Sequence, residues 1–169
     1  MNRKHYMNFI LNALAGRNPD GYFKKHEMEI MSYLEILQRE FPIPTETIYR
    51  GILLDPNRDL VLKPIPYITF ISFSSELQVA KNFADMLHPM STFVRMKNPE
   101  YEGYLIEHTP EPSEILFHYS WAGPLRVEEI FRANGMESVI ADQKEVMLMN
   151  RAKDFTLIPV QRGCSLKKE

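Results

Sequence analysis

The stretch Thr47-Ile48-Tyr49-Arg50-Gly51-Ile52-Leu53-Leu54 is where the chain changes character. β-Branched and aromatic residues fill it and the turn-forming Asp55-Pro56-Asn57 closes it, so it reads as a β-strand with an arginine near its middle. Before it the pattern is helical. Tyr6, Phe9, Ile10, Ala13 and Leu14 recur at helical spacing up to Gly16, and Asn18-Pro19-Asp20-Gly21 follows as a turn. A second helix is expected from about Tyr22 to Glu40, with Ile30, Leu34, Leu37 and Phe41 on one stripe, stopped by Pro42 and Pro44. Both helices carry mixed charge on their polar faces, which suits a packing layer better than a membrane surface.

After the arginine strand the chain is mostly strand-like. Pro64 and Pro66 precede a strand Tyr67 to Phe73; Ser75 and Gln78 match a capping box for a helix running to about Leu87. Further strands are expected at Gly103 to His108, Ile115 to Tyr119, Glu145 to Met149 and Phe155 to Val160, with a helix at Val127 to Ala133 closed by Asn134-Gly135. Helices first and strands afterwards predict an α+β domain. Its N-terminal helices (residues 1–44) would pack on a two-sheet, mostly antiparallel or mixed β core (45–160), followed by a tail (161–169).

The length and composition agree with one ordinary core. The chain has 169 residues, 44% hydrophobic and 25% charged, with 11% aromatic, which excludes a disordered or collagen-like chain. Twenty basic residues against 22 acidic ones leave a net charge of -2, so any nucleic acid must be held by a local patch rather than by bulk charge. Cys164 stands alone, which forbids an internal disulfide and fits a reducing compartment. The basic start Met1 to His5 is followed by a stretch interrupted by Asn8 and Asn12, so no export signal is read and a cytoplasmic setting is expected, with delivery into a host cytoplasm left open. No run reaches the roughly 18 apolar residues a membrane span needs, so no membrane association is expected. The five histidines show no metal-ligand spacing, and no metal is expected.

Three polar residues interrupt apolar strands: Arg50, Ser72 and Glu145. Arg50 either faces solvent by simple alternation or points into a cleft with an anion to hold, and spacing alone favours solvent. Glu145, taken alone, is a surface carboxylate at a strand edge, and Ser72 a small residue at a crowded position. Their order and neighbours are more informative. Ile48-Tyr49-Arg50-Gly51, then Phe70-Ile71-Ser72-Phe73-Ser74 running into Ala80-Lys81-Asn82-Phe83-Ala84, then Gln143-Lys144-Glu145 before an apolar strand, together resemble the arginine-serine-glutamate pattern of the mono-ADP-ribosyltransferase family. The resemblance spans Ile48 to Val160. Phe73 departs from it, standing where the family has a threonine, and Gln143 replaces the first glutamate of the arginine-modifying members.

The resemblance implies an ADP-ribosyltransferase-like fold with an NAD cleft, and an enzyme of the small bacterial or bacteriophage kind. It would cleave NAD at the nicotinamide-ribose bond and pass ADP-ribose to a protein side chain or a nucleic acid. Glu145 would be the catalytic carboxylate against the ribose, with Gln143 presenting the acceptor. Arg50, Gly51, Ser72 and Ser74 would hold NAD, with Gly51 letting the backbone approach the nicotinamide. The Asp85 to Glu100 segment, with Phe93 and Arg95, lies where the family places a loop over NAD, although an ordinary connection is equally expected. Phe83 is expected in the core rather than as a stacking platform. Tyr119 and Trp121 could offer an aromatic contact to an acceptor, core packing being the commoner fate of such residues. Alternatives are an NAD glycohydrolase with water as acceptor, and a binding module that keeps the cleft without turnover.

Overall fold

The computed structural model describes residues 1–63, 65, 68–85, 89–137, 142–151 and 153–160. Pro64, Pro66, Tyr67, Leu87, His88 and the tail with Cys164 lie outside the described residues. The architecture is α+β. Helices α1 (Asn2–Leu14), α2 (Asp20–Lys25) and α3 (Glu27–Glu40) precede strand β1 (Ile48–Leu54). The chain continues through β2 (Val61–Leu62), β3 (Phe70–Ser74), α4 (Leu77–Ala84), α5 (Pro89–Lys97) and β4 (Glu102–His108). It finishes with β5 (Ile115–His118), α6 (Ala122–Leu125), α7 (Val127–Ala133), β6 (Glu145–Met149), β7 (Phe155–Thr156) and β8 (Ile158–Pro159). None of the described helices is long and apolar enough to cross a membrane.

The leading helices form because their apolar residues share one face. Tyr6, Phe9 and Ile10 of α1 and Ile30 of α3 are fully buried, and the Tyr6 hydroxyl donates to the Leu116 carbonyl at 2.8 Å, tying α1 to β5. The single helix expected from Tyr22 to Glu40 is two, because His26 leaves helical geometry (φ -124°, ψ 27°). Its N–H closes α2 on Tyr22 and Phe23 while its carbonyl starts α3 by accepting from Ile30. The turn lets Phe23 meet Phe9, ring centroids 5.0 Å apart, before the chain turns into α3.

Six strands form one sheet in the order β5-β6-β3-β1-β4-β8, and β2 with β7 forms a small second sheet. All the pairings among the described residues are antiparallel, with no mixed component. The large sheet has a seam. β1 and β4 pair along their whole length, from Ile48↔His108 to Leu54↔Glu102, but β1 and β3 share only Tyr49↔Ser74. It is thus two three-stranded halves joined at one point. The strand expected at Phe155 to Val160 splits between sheets, β7 pairing with β2 and β8 with β4, and Pro159 sits on the outer edge where its missing N–H costs no ladder bond.

Helix α4 lies on the β1–β4 half, and its seat is built from glycines. A Cβ on Gly51 would sit 1.8 Å from the Ala80 carbonyl oxygen, and one on Gly103 2.3 Å from that of Ala84. Gly51 and Gly103 lie on the same face of the β1–β4 pair, because Gly51 stands beside Leu53, the register partner of Gly103, at the alternate position. Ala80 and Ala84, four apart and both buried, are the matching small residues of the helix. The expected capping box does not form: Glu76 occupies the N-cap without a side-chain bond, and Ser74 Oγ accepts from the Glu76 N–H at 3.0 Å.

Candidate active site

The seam is where the three polar residues meet. Because β1 and β3 diverge after Tyr49↔Ser74, the Ser72 carbonyl has no β1 backbone partner in that register, and the Arg50 side chain fills the gap by donating from its Nη1 at 2.6 Å. Arg50 does not face solvent as alternation suggested. Its Nε is buried and unpartnered, and burial pulls the guanidinium below its ordinary value against the opposing effect of Glu145. A buried donor without a partner is a cost that a bound acceptor atom would remove.

Glu145 opens β6 beside β3, in register with Ser74. The Ser72 hydroxyl donates to its Oε1 at 2.7 Å. Burial raises the Glu145 carboxyl above the usual carboxylate range, and the Ser72 hydrogen bond and the Arg50 charge offset only part of that. The solitary surface carboxylate read from the strand edge is therefore an inward acid, joined through Ser72 to the cation on the neighbouring half of the sheet.

Around this triad the structure forms a cleft of about 440 Å³, within the range of small-molecule sites. Ala13, Leu14 and Gly16 at the end of α1 make one wall, and Val79, Ala80 and Phe83 of α4 make the other. Tyr49, Arg50, Gly51, Ser72, Phe73, Ser74, Gln143 and Glu145 line the rest. Phe83, expected in the core, is half-exposed on the cleft. The α1 wall comes from helices that the sequence presented only as packing, and no motif marked it.

Gln143 and Glu145 both line the cleft, but not through strand alternation, since Lys144 between them is left-handed at φ 41°. Three contacts hold this turn to the β3–α4 junction. Ser74 Oγ donates to the Gln143 carbonyl at 2.7 Å, the Ser75 N–H donates to the Lys144 carbonyl at 3.1 Å, and Lys144 pairs with Glu76. Ser74, expected to touch NAD, has its hydroxyl engaged in placing Gln143 and the start of α4. Gly51 lines the cleft, yet its missing Cβ makes room for the α4 backbone rather than for a ligand.

Other candidates lie elsewhere. Residues 89–97 are helix α5, not a loop; Phe93 is exposed with Lys97 over its ring, and neither Phe93 nor Arg95 lines the cleft. Trp121 is fully buried and donates to the Phe41 carbonyl at 2.9 Å, whereas Tyr119 is half-exposed. Phe73 is buried against Phe155, ring centroids 5.6 Å apart. Searches against protein-family models, curated proteins and solved structures found no match to this chain.

Proposed function

We propose that the chain is a mono-ADP-ribosyltransferase that cleaves NAD between nicotinamide and ribose and transfers ADP-ribose to a macromolecule. The observation that carries this reading is the convergence of Arg50, Ser72 and Glu145, from three neighbouring strands, in one cleft with the acid hydrogen-bonded through the serine. The ADP-ribosyltransferase-like architecture belongs to the same proposal, and the splayed seam is what supports it.

The chemistry asks for these groups. The bond from C1′ to the nicotinamide nitrogen breaks with its electron pair going to the ring, which leaves neutral. C1′ passes through an oxocarbenium-like state, the acceptor atom forms the new bond to C1′, and the acceptor's proton passes to solvent. A carboxylate held next to the ribose stabilises positive charge that appears only as the bond breaks, so it lowers the barrier without tightening substrate binding. Glu145, oriented by Ser72, supplies it. Arg50 supplies a planar donor fork for the pyrophosphate or the adjoining ribose, with Nε free of protein partners. Gln143, placed by Ser74, both donates and accepts hydrogen bonds. This suits a neutral amide or nucleobase acceptor better than a guanidinium.

The test is incubation of the pure protein with labelled NAD, with and without cell lysate. Label on protein or nucleic acid supports transfer. Free ADP-ribose alone identifies a glycohydrolase, and intact NAD identifies a module without turnover. Arg50→Ala is expected to weaken NAD binding about 10- to 100-fold, the value of a charge-assisted hydrogen bond. Arg50→Lys should recover little of it, because an ammonium cannot reproduce the fork. Calorimetric titration of NAD into both variants, each first checked by circular dichroism, reads this directly; wild-type affinity in Arg50→Ala removes Arg50 from the site.

A further inference from the structure

On the helical side of the molecule, we propose that His5, His26 and Glu29 bind one divalent transition-metal ion of the zinc class. The three residues come from α1, from the bend between α2 and α3, and from the first turn of α3. One ligand atom from each lies within 4.8 Å of the others. An ion at about 2.1 Å from each ligand wants them about 3.4 Å apart, so the widest pair closes by at most about 1.4 Å. Half-buried side chains can make that adjustment by rotating about χ1 and χ2.

The donors lie side by side but not yet aimed at one point. The His5 and His26 rings stack with centroids 4.0 Å apart and planes 20° from parallel, so their in-plane lone pairs run alongside each other, and one ring must turn out of the stack about its χ2 to share an ion; the Tyr22 ring lies 4.6 Å from His26. His5 Nδ1 is 2.8 Å from the Tyr22 hydroxyl, which also accepts from Asn8 Nδ2 at 3.2 Å. The Tyr22 hydroxyl occupies the Nδ1 side of His5, which leaves Nε2 as the nitrogen open to an ion; with an ion there, Nδ1 would carry the ring proton and donate to Tyr22, whose oxygen keeps a lone pair beside the one Asn8 uses. A hydrogen bond on the far nitrogen of a ligating histidine is the usual outer support of such sites. Two imidazoles with one carboxylate form a zinc-type donor set with an open fourth position, whereas calcium and magnesium would ask for oxygen throughout. Sequence spacing shows at most the pair His26 and Glu29, three apart at the start of α3; His5 comes from a separate helix, and only the fold brings it to them.

An ion here would brace α1 against the α2–α3 corner, and the end of α1 walls the cleft. The inference does not depend on what the cleft binds.

The test uses the full-length, tag-free chain, by equilibrium dialysis with Zn2+ and by titration with Co2+ followed through its visible absorption. One ion per chain is expected, with the Co2+ bands abolished by Zn2+. His5→Gln and His26→Gln should lose the ion, and Tyr22→Phe should weaken it about tenfold. Zn2+ at a hundredfold excess over its dissociation constant should raise the wild-type Tm by about 5 to 10 °C and leave the histidine variants unmoved. Should either histidine variant misfold, Glu29→Gln keeps the test, since that side chain is 40% exposed and its loss should weaken binding without touching the core. Absence of saturable binding, or one-to-one binding that survives both His5→Gln and His26→Gln, overturns the proposal.

Discussion

Glu145→Gln is expected to lower the rate of nicotinamide release by roughly a hundred- to a thousand-fold, the usual cost of one preorganised electrostatic partner, while NAD affinity stays within a few-fold. The same variant is expected to be more stable than the wild type at pH 7. Both effects come from one burial. The carboxyl is raised above its ordinary 4.5 because the folded site desolvates its charge, more than Ser72 and Arg50 compensate. Since the folded value lies above the unfolded one, the contribution of this group to stability is complete below pH 4.5 and is lost as pH rises through the folded value. At pH 7, where the unfolded chain's Glu145 is ionised, burying this group carries a cost that a neutral glutamine, still able to accept from Ser72, avoids.

Melting curves at pH 7 and near pH 4 should therefore show the variant's advantage at the higher pH shrinking at the lower one, and the acid limb of kcat/KM for the wild type should lie above 4.5. Full turnover in Glu145→Gln ends the catalytic assignment. Equal melting temperatures at pH 7 end the account of a costly buried acid and leave the rate prediction to stand or fall alone.

Much of the fold was legible because it rests on local pattern. Val127–Ala133 and Glu145–Met149 lie where local pattern placed them, the first an amphipathic stretch closed by Asn134-Gly135 and the second an apolar run, Val146 to Met149, opened by Glu145. What local pattern could not show was divergence. Nothing in Ile48 to Leu54 or Phe70 to Ser74 says that the two strands share one register pair and then separate, because separation depends on what fills the gap. Arg50 fills it, so the side chain that alternation assigned to solvent is the one that holds the seam.

Lys144 shows the same limit on a smaller scale. Gln143 and Glu145 stand two apart, the spacing of one strand face, and both reach the cleft, yet they do so across a left-handed residue held by Ser74, Ser75 and Glu76. The break at His26 and the sheet switch around Leu157 are likewise tertiary. An unbroken α2–α3 would carry Phe23 away from Phe9, and Leu157, buried between β7 and β8, donates its N–H to Leu60 at the point where the chain changes partner.

Gly51→Ala is expected to cost about 3 kcal/mol or more, at the upper end of overpacking, although it alters no group that acts on a substrate. The added Cβ would meet the Ala80 oxygen at 1.8 Å, the Ala80 carbonyl carbon at 2.8 Å and the Ala84 nitrogen at 2.9 Å. All three are backbone atoms of α4, so no rotamer change relieves the clash and the helix must lift from the sheet. The controls are Gly21 and Gly123, which lie in helices with nothing within 4 Å of an added Cβ. Alanine at either should be neutral or stabilise by up to about 1 kcal/mol. Urea denaturation of the three variants measures the difference, and it also decides between two reasons for a glycine beside Arg50. If Gly51 exists to let a ligand approach the backbone, Gly51→Ala folds like the wild type and loses NAD binding alone. If it exists to seat α4, stability falls first, and the cleft is lost with the wall that Val79, Ala80 and Phe83 provide.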